Sequence, residues 1–294
     1  MRKNITLVLK PELGRDNYEI VERKGKGHPD TLSDTLAERL SNAYSKYTLN
    51  NFGAVLHHNF DKVGMMGGKC EVEFGHGRML EPIRVLLNGR ASSKFGDIKI
   101  NVKEILLNET RNFFAECFPM LNFDSDVRIL YEVSEGSSPG GVKGKESKRH
   151  RWFEPENLDD LGELKKLNCN DTSMGCSFYG YSILENIVYN LEKFLNSDEY
   201  KISHPWIGSD IKIMGFRDNN EVSITMCVPQ LCTFVNNVEE YISNKKQVEA
   251  DIIKYIKIKR STWRILIYLA PDPKVGDEAV SYTHLRAHET SAHL

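Results

Sequence analysis

Two common nucleotide signatures are missing from this sequence. It has no Gly-x-x-x-x-Gly-Lys-Ser/Thr loop and no Gly-x-Gly-x-x-Gly after a strand pattern, so P-loop and dinucleotide chemistries lose most of their support. Nor does any uninterrupted apolar run approach the ~20 residues of a membrane helix. The first ten residues are basic, but their apolar stretch breaks at Lys10 without a small-residue cleavage site, so they read as a strand rather than a signal peptide. The six cysteines, Cys70, Cys117, Cys169, Cys176, Cys227 and Cys232, include no Cys-x-x-Cys pair. Free thiols in a reducing, cytoplasmic compartment are expected. Charge of one sign is also lacking: 39 Lys and Arg against 41 Asp and Glu leave a net charge of −2. Nothing global attracts nucleic acid or an anionic membrane.

What is present is an ordinary globular composition, 40% hydrophobic and 27% charged over 294 residues. That length suggests about two domains at roughly 150 residues each. Periodicity predicts strands at Thr6–Lys10, Glu19–Arg23, Ala54–His58, Lys69–Phe74, Ile83–Asn88, Val127–Val133, Ile211–Phe216, Val222–Val228 and Arg264–Leu269. It predicts helices at Thr31–Thr48, Val102–Cys117, Ser182–Leu195 and Val238–Ile256. The alternation reads as an α+β chain of two similar modules, residues 1–125 and 126–279, joined near residue 125.

The stretch 135–152 is Gly-, Ser- and Pro-rich and then basic through Lys143, Lys145, Lys148, Arg149 and Arg151. It is either a solvated loop or a flexible lid carrying cations towards an anionic ligand. Residues 280–294 hold His284, His288 and His293 beside Glu289, which invites a zinc reading. The segment instead resembles a translated adapter oligonucleotide and is expected to be a non-native tail outside the fold.

The densest chemical signal is Lys24-Gly-Lys-Gly-His28-Pro-Asp30. A strand ends there, glycines permit a tight turn and a helix begins. Asp30 is placed to cap that helix or to sit in its first turn. Leu32, Leu36 and Leu40 form its buried stripe. Asp30, Asp34 and Glu38 lie about 200° round and make an outward acidic face. Asp30 and His28 can be cap and turn residues only; beside Lys24 and Lys26 they can also serve Mg²⁺-polyphosphate, since Mg²⁺ takes one or two carboxylates with water and phosphate oxygens. Further clusters are Asn168–Gly175, holding Asp171, and Gly208–Gly215. In the latter, Asp210 and Lys212 would share one strand face as an exposed pair or as two prongs on a ligand. His57–Lys62 can be an active-site edge or a polar strand end.

As an ordered set, Val21–Asp30, Gly53–Asn59, Gly67-Gly68, Asn170–Ser173, Leu195–Glu199 and Asp210–Gly215 resemble the archaeal-type S-adenosylmethionine synthetases, in register from about Glu19 to Asp277. The resemblance implies methionine adenosyltransferase activity: ATP, L-methionine and water give S-adenosylmethionine, phosphate and diphosphate, with Mg²⁺ and K⁺. It also implies two-layer α/β modules about a pseudo-threefold axis, the third missing or incomplete here, and a homodimer with active sites between subunits. By that resemblance His28 lies near the departing oxygen, Asp30 binds Mg²⁺ and Lys212 acts on the phosphate chain. Lys24, Gly136, Ser137, Asp171 and Asp210 would contact ATP or methionine.

Phe60 and Lys62 depart from the family's small polar and neutral residues. Glu135 departs from its Gly-rich nucleotide loop, and the Gly- and Asp-rich stretch that follows Asp277 in the family is absent. A non-catalytic or regulatory relative is the alternative, which a genuine stop after Leu294 would favour. His28-Pro29-Asp30 also occurs in J-domain-like interaction proteins, but those need two antiparallel helices around the tripeptide.

Overall fold

The computed structural model describes residues 17–135, 154–161, 180–219, 221–259 and 264–270. In chain order the strands and helices are β1 (Tyr18–Lys24), α1 (Pro29–Phe52), β2 (His58–Asn59), β3 (Gly64–Met66), β4 (Lys69–Glu73), β5 (His76–Glu81), β6 (Ile83–Ala91), β7 (Lys94–Phe95), β8 (Ile98–Lys99), α2 (Val102–Cys117), α3 (Phe123–Asp126), β9 (Val127–Ser134), α4 (Ile183–Leu195), α5 (Asp198–Ser203), β10 (Lys212–Asp218), β11 (Glu221–Cys227), α6 (Val238–Lys259) and β12 (Arg264–Ala270). The architecture is mixed α+β. Among the described residues no helix is long and apolar enough to cross a membrane.

One layer is built on β6. Strands β3 and β2 pair antiparallel with its first and last residues, while β9 runs parallel along its length. Alternate residues Ile83, Val85 and Leu87 of β6 face inward and are fully buried, as period two requires of a half-buried strand. They pack against Leu32, Leu36, Leu40 and Tyr44 of α1 and Leu106, Phe113 and Phe114 of α2. The predicted leucine stripe is therefore the core face of α1, and Asp34 and Glu38 are exposed behind it.

The other layer is the sheet β1-β10-β11-β12, with the first three strands antiparallel and β12 parallel to β11. Its inner residues Ile213, Val222, Ile224 and Met226 pack under Leu184, Val188, Leu191 and Leu195 of α4 and Val248 and Ile252 of α6. A complete capping box starts α4: the Ser182 hydroxyl accepts from the Glu185 N–H, and the Glu185 carboxylate accepts from the Ser182 N–H. Capping satisfies two backbone donors that the helix leaves open.

Each sheet takes a strand from across residue 125. Strand β1 lies beside β10, and β9 lies beside β6. The predicted strand Ala54–His58 shrinks to the two-residue β2, because only His58 and Asn59 find partners on β6. The strand at Thr6–Lys10 and the segments 136–153 and 280–294 fall outside the described residues.

Candidate active site

The turn after β1 is clamped onto the chain that enters β10. Gly25 N–H donates to the Ile211 carbonyl at 2.7 Å, and Gly27 N–H donates to the Ser209 carbonyl at 3.1 Å. A Cβ on Gly27 would stand 2.4 Å from the Ser209 carbonyl carbon, and one on Gly25 would stand 2.7 Å from the Ile211 oxygen. Both positions need glycine because two backbones meet there. Strand pairing then sets Lys24 directly opposite Lys212. Two clusters far apart in sequence, Lys24–Asp30 and Asp210–Lys212, thus become one place.

His28, not Asp30, caps α1. Its Nδ1 accepts from the Asp30 N–H at 3.2 Å, with Pro29 following the cap. Of the two placements that the sequence leaves open for Asp30, cap or first turn, the cap is taken by His28. An accepting Nδ1 puts the proton of the neutral ring on Nε2. His28 is buried, which fixes the ring's direction. Asp30 instead sits in the first turn, where the helix dipole favours a carboxylate. Its carboxylate accepts from the Lys24 ammonium, which raises the Lys24 pKa.

Lys212 opens β10, and Asp210 lies two residues before the strand's first residue. The Lys212 ammonium pairs with Glu22 at 2.5 Å. That hydrogen bond is the largest cause holding the Glu22 carboxyl below its ordinary pKa. Glu22 went unremarked in the sequence, although its i,i+2 spacing from Lys24 on a strand was the available signal. Glu22, Lys24 and Lys212 form an alternating charged corner at the end of the sheet.

Behind the turn is a second polar group that sequence reasoning also missed. Glu192 of α4 is buried, and it accepts from Arg23 at 3.2 Å and from Asn196 Nδ2 at 2.8 Å. Lys201 of α5 donates to the Ser209 hydroxyl at 2.5 Å.

His58 is turned away from this place. Its Nδ1–H donates to the Leu56 carbonyl at 2.8 Å, leaving Nε2 to accept from the Ser41 hydroxyl at 2.7 Å. The ring lies beside Tyr44 and Phe60, and burial pushes its pKa down. Phe60 is a core residue, Asn59 Oδ1 accepts from the Asp61 N–H, and Lys62 pairs with Asp61 at 3.0 Å. These contacts place His58, Asn59, Phe60, Asp61 and Lys62 within the fold. Gly136, Ser137 and Asp171 fall outside the described residues, as do Cys169 and Cys176. Cys70, Cys117, Cys227 and Cys232 are free thiols.

Among the described residues no three His, Cys, Asp or Glu side chains gather as a metal cage. A lone carboxylate such as Asp30 can still share Mg²⁺ with phosphate oxygens and water. The set of two lysines, a directed histidine and one acid at a helix start suits a polyphosphate.

The family model described as S-adenosylmethionine synthetase (AdoMet synthetase) matches residues 3–284. A Thermoplasma acidophilum protein named S-adenosylmethionine synthase is 34% identical over 91% of this chain and 62% of its own length. A Picrophilus torridus protein of the same name is 38% identical over 78% of this chain and 52% of its own. The chain thus spans less than two thirds of either relative. A solved S-adenosylmethionine synthetase from Campylobacter jejuni overlaps it with a TM-score of 0.40 at 11% identity, covering 91% of this chain and 61% of that one.

Proposed function

The chain belongs to the S-adenosylmethionine synthetase family, and on that premise we propose that it takes part in forming S-adenosylmethionine from ATP and L-methionine, with release of phosphate and diphosphate. The observation that carries the reading is the junction of the Lys24–Asp30 turn with the start of β10. The proposed chemistry needs no nucleophilic side chain, because a thioether has no proton to remove. Its demands are an in-line sulfur and C5′ and stabilisation of the charge on the departing triphosphate.

In this reading Lys212 stabilises the phosphate chain, and Lys24 binds it alongside. His28, with its proton on Nε2, donates towards the departing oxygen. Asp210 contacts the nucleotide, and Gly136, Ser137 and Asp171 belong to the ATP and methionine contacts. Asp30 would hold Mg²⁺, which supplies charge neutralisation on the polyphosphate when bound. The Lys24 ammonium holds that carboxylate in place until a cation competes for it. Potassium belongs to the same proposal, and no step is assigned to it.

The partner is proposed to be a second copy of the chain. The outer face of the β1-β10 sheet supports this: Tyr18, Ile20, Met214 and Phe216 share it by register and are exposed. The chain is read as two modules, 1–125 and 126–279, that exchange strands. A cytoplasmic location goes with ATP and with free thiols. The J-domain alternative has no support, since β1 rather than a helix precedes His28. The relatives' names likewise favour a synthetase over a non-catalytic subunit.

The test is to supply the purified, folded protein with ATP, methionine, Mg²⁺ and K⁺ and to follow product by chromatography. S-adenosylmethionine should form, with loss of product when methionine or Mg²⁺ is omitted. A folded protein that makes none overturns the reading.

A further inference from the structure

Lys201 presents an unusual electrostatic situation. It lies half-buried in α5, a single short helix held by two side-chain contacts. The Ser197 hydroxyl caps its start, and the Tyr200 hydroxyl ties it to Asp251 of α6 at 2.9 Å. The Lys201 ammonium donates to the Ser209 hydroxyl. Among the described residues no carboxylate stands within ion-pair distance of it.

The charged groups around it come from three elements. Lys26 of the turn opposes its charge, while Asp198 of α5 and Glu192 of α4 favour it from longer range. Glu192 is already engaged by Arg23 and Asn196. Burial, with Lys26 second, pushes the Lys201 pKa down to about 8.

A partly buried ammonium with only a hydroxyl for a partner lowers stability, because desolvation is not repaid by a counter-charge. Packing alone would be better served by an apolar chain of the same length. The position of the charge suggests another purpose. Ser209 joins Lys201 to the site directly: its hydroxyl accepts from the ammonium, and its carbonyl accepts from Gly27 N–H. Lys201 therefore lies on one flank of the Gly25–His28 turn, while Lys24 and Lys212 stand on the β-sheet side of it.

We propose that Lys201 is an anion-binding lysine of this site, held in place by Ser209, whose counter-charge is supplied by the phosphate chain of a nucleoside or inorganic polyphosphate lying over the Gly25–His28 turn. The inference rests on the polyphosphate reading of the site. Ligand charge would hold Lys201 protonated, so affinity should fall as pH rises through about 8.

The experiment is calorimetric titration of the chain with inorganic tripolyphosphate, with melting temperatures of the ligand-free proteins alongside. Lys201→Met should weaken binding about tenfold, the loss of one charge-assisted contact, while its melting temperature holds or rises. Lys201→Arg should retain the affinity at pH 7. Between pH 7 and pH 9 the natural chain should lose affinity relative to Lys201→Arg, because guanidinium does not titrate in that range. Unchanged binding by Lys201→Met overturns the proposal, as does a loss of affinity that follows a loss of melting temperature and is not restored by Arg. Lys24→Met separates the two ideas. If the natural chain binds and Lys24→Met weakens it while Lys201→Met does not, the site reading stands and this inference falls. If the natural chain does not bind tripolyphosphate, both fall.

Discussion

Asp30 sits in the first turn of α1 with its side chain 60% exposed. Its pairing with Lys24 is an exposed contact, which contributes roughly 0–1 kcal/mol to folding. Asp30→Asn should therefore leave chemical denaturation nearly unchanged and lower kcat by about a hundredfold or more, if the carboxylate holds Mg²⁺ on the phosphates. Equal losses in stability and turnover would return Asp30 to a purely structural role. Gly27 makes the opposite case. A methyl group there collides with the Ser209 backbone at 2.4 Å, and neither chain can yield without losing the Gly27–Ser209 hydrogen bond. Gly27→Ala is expected to cost about 2 kcal/mol or more by urea unfolding; a variant as stable as the parent would refute that close approach.

His58 shows how an element can absorb a residue that looks chemical. Strand β2 sets it half-buried beside Tyr44 and Phe60, where it serves Ser41 and Leu56 as a neutral ring. Its folded pKa is depressed by burial, so the unfolded chain binds the proton more readily. Its contribution to stability is full above the unfolded value of about 6.5 and is lost as pH falls through the folded value. The melting temperature should decline below about pH 6.5, and the decline should be shallower in His58→Gln; identical pH profiles would count against this. Between α1 and α2, Arg39 bridges Glu109 at 2.5 Å and Glu116 at 2.9 Å. Arg39→Met should lose about 1 kcal/mol, mainly the contact to the less exposed Glu109, measurable by urea unfolding.

The long elements were legible because their cores repeat: Val102–Cys117 matches α2 end to end, and Leu32, Leu36 and Leu40 are the buried stripe. Short strands such as β2 and β7 and the single-turn helices were not, since pairing rather than local pattern creates them. At the site, the turn from Lys24 to Asp30 could be read from its glycines and helix start. Its union with β10, the cap on His28 and the roles of Glu22 and Lys201 could not, because each depends on a contact with a distant segment.

At the scale of the whole molecule, exchange of β1 and β9 between the sheets ties the two halves of the chain together through main-chain bonds. It also decides what faces outward. One face of the β1-β10-β11-β12 sheet is filled by α4 and α6; the other displays Tyr18 and Ile20, both 63% exposed, beside Met214 and Phe216. Register puts Ile20 opposite Phe216 and Glu22 opposite Met214, so the apolar residues form one patch that leads into the charged corner at Lys24 and Lys212. A contiguous patch of that kind is costly on a monomer, and its continuity with the site suits a symmetric pair that shares the site across the two-fold axis. Phe216→Lys should convert a dimer to a monomer in sedimentation equilibrium, because it sets like charges against each other across the isologous contact. The monomer should keep its cooperative unfolding, since Phe216 contributes nothing to the inner core, but should lose turnover if the site is completed by the second copy. A natural protein that is monomeric at the same concentration, or a variant that remains a fully active dimer, would refute the assignment of this face.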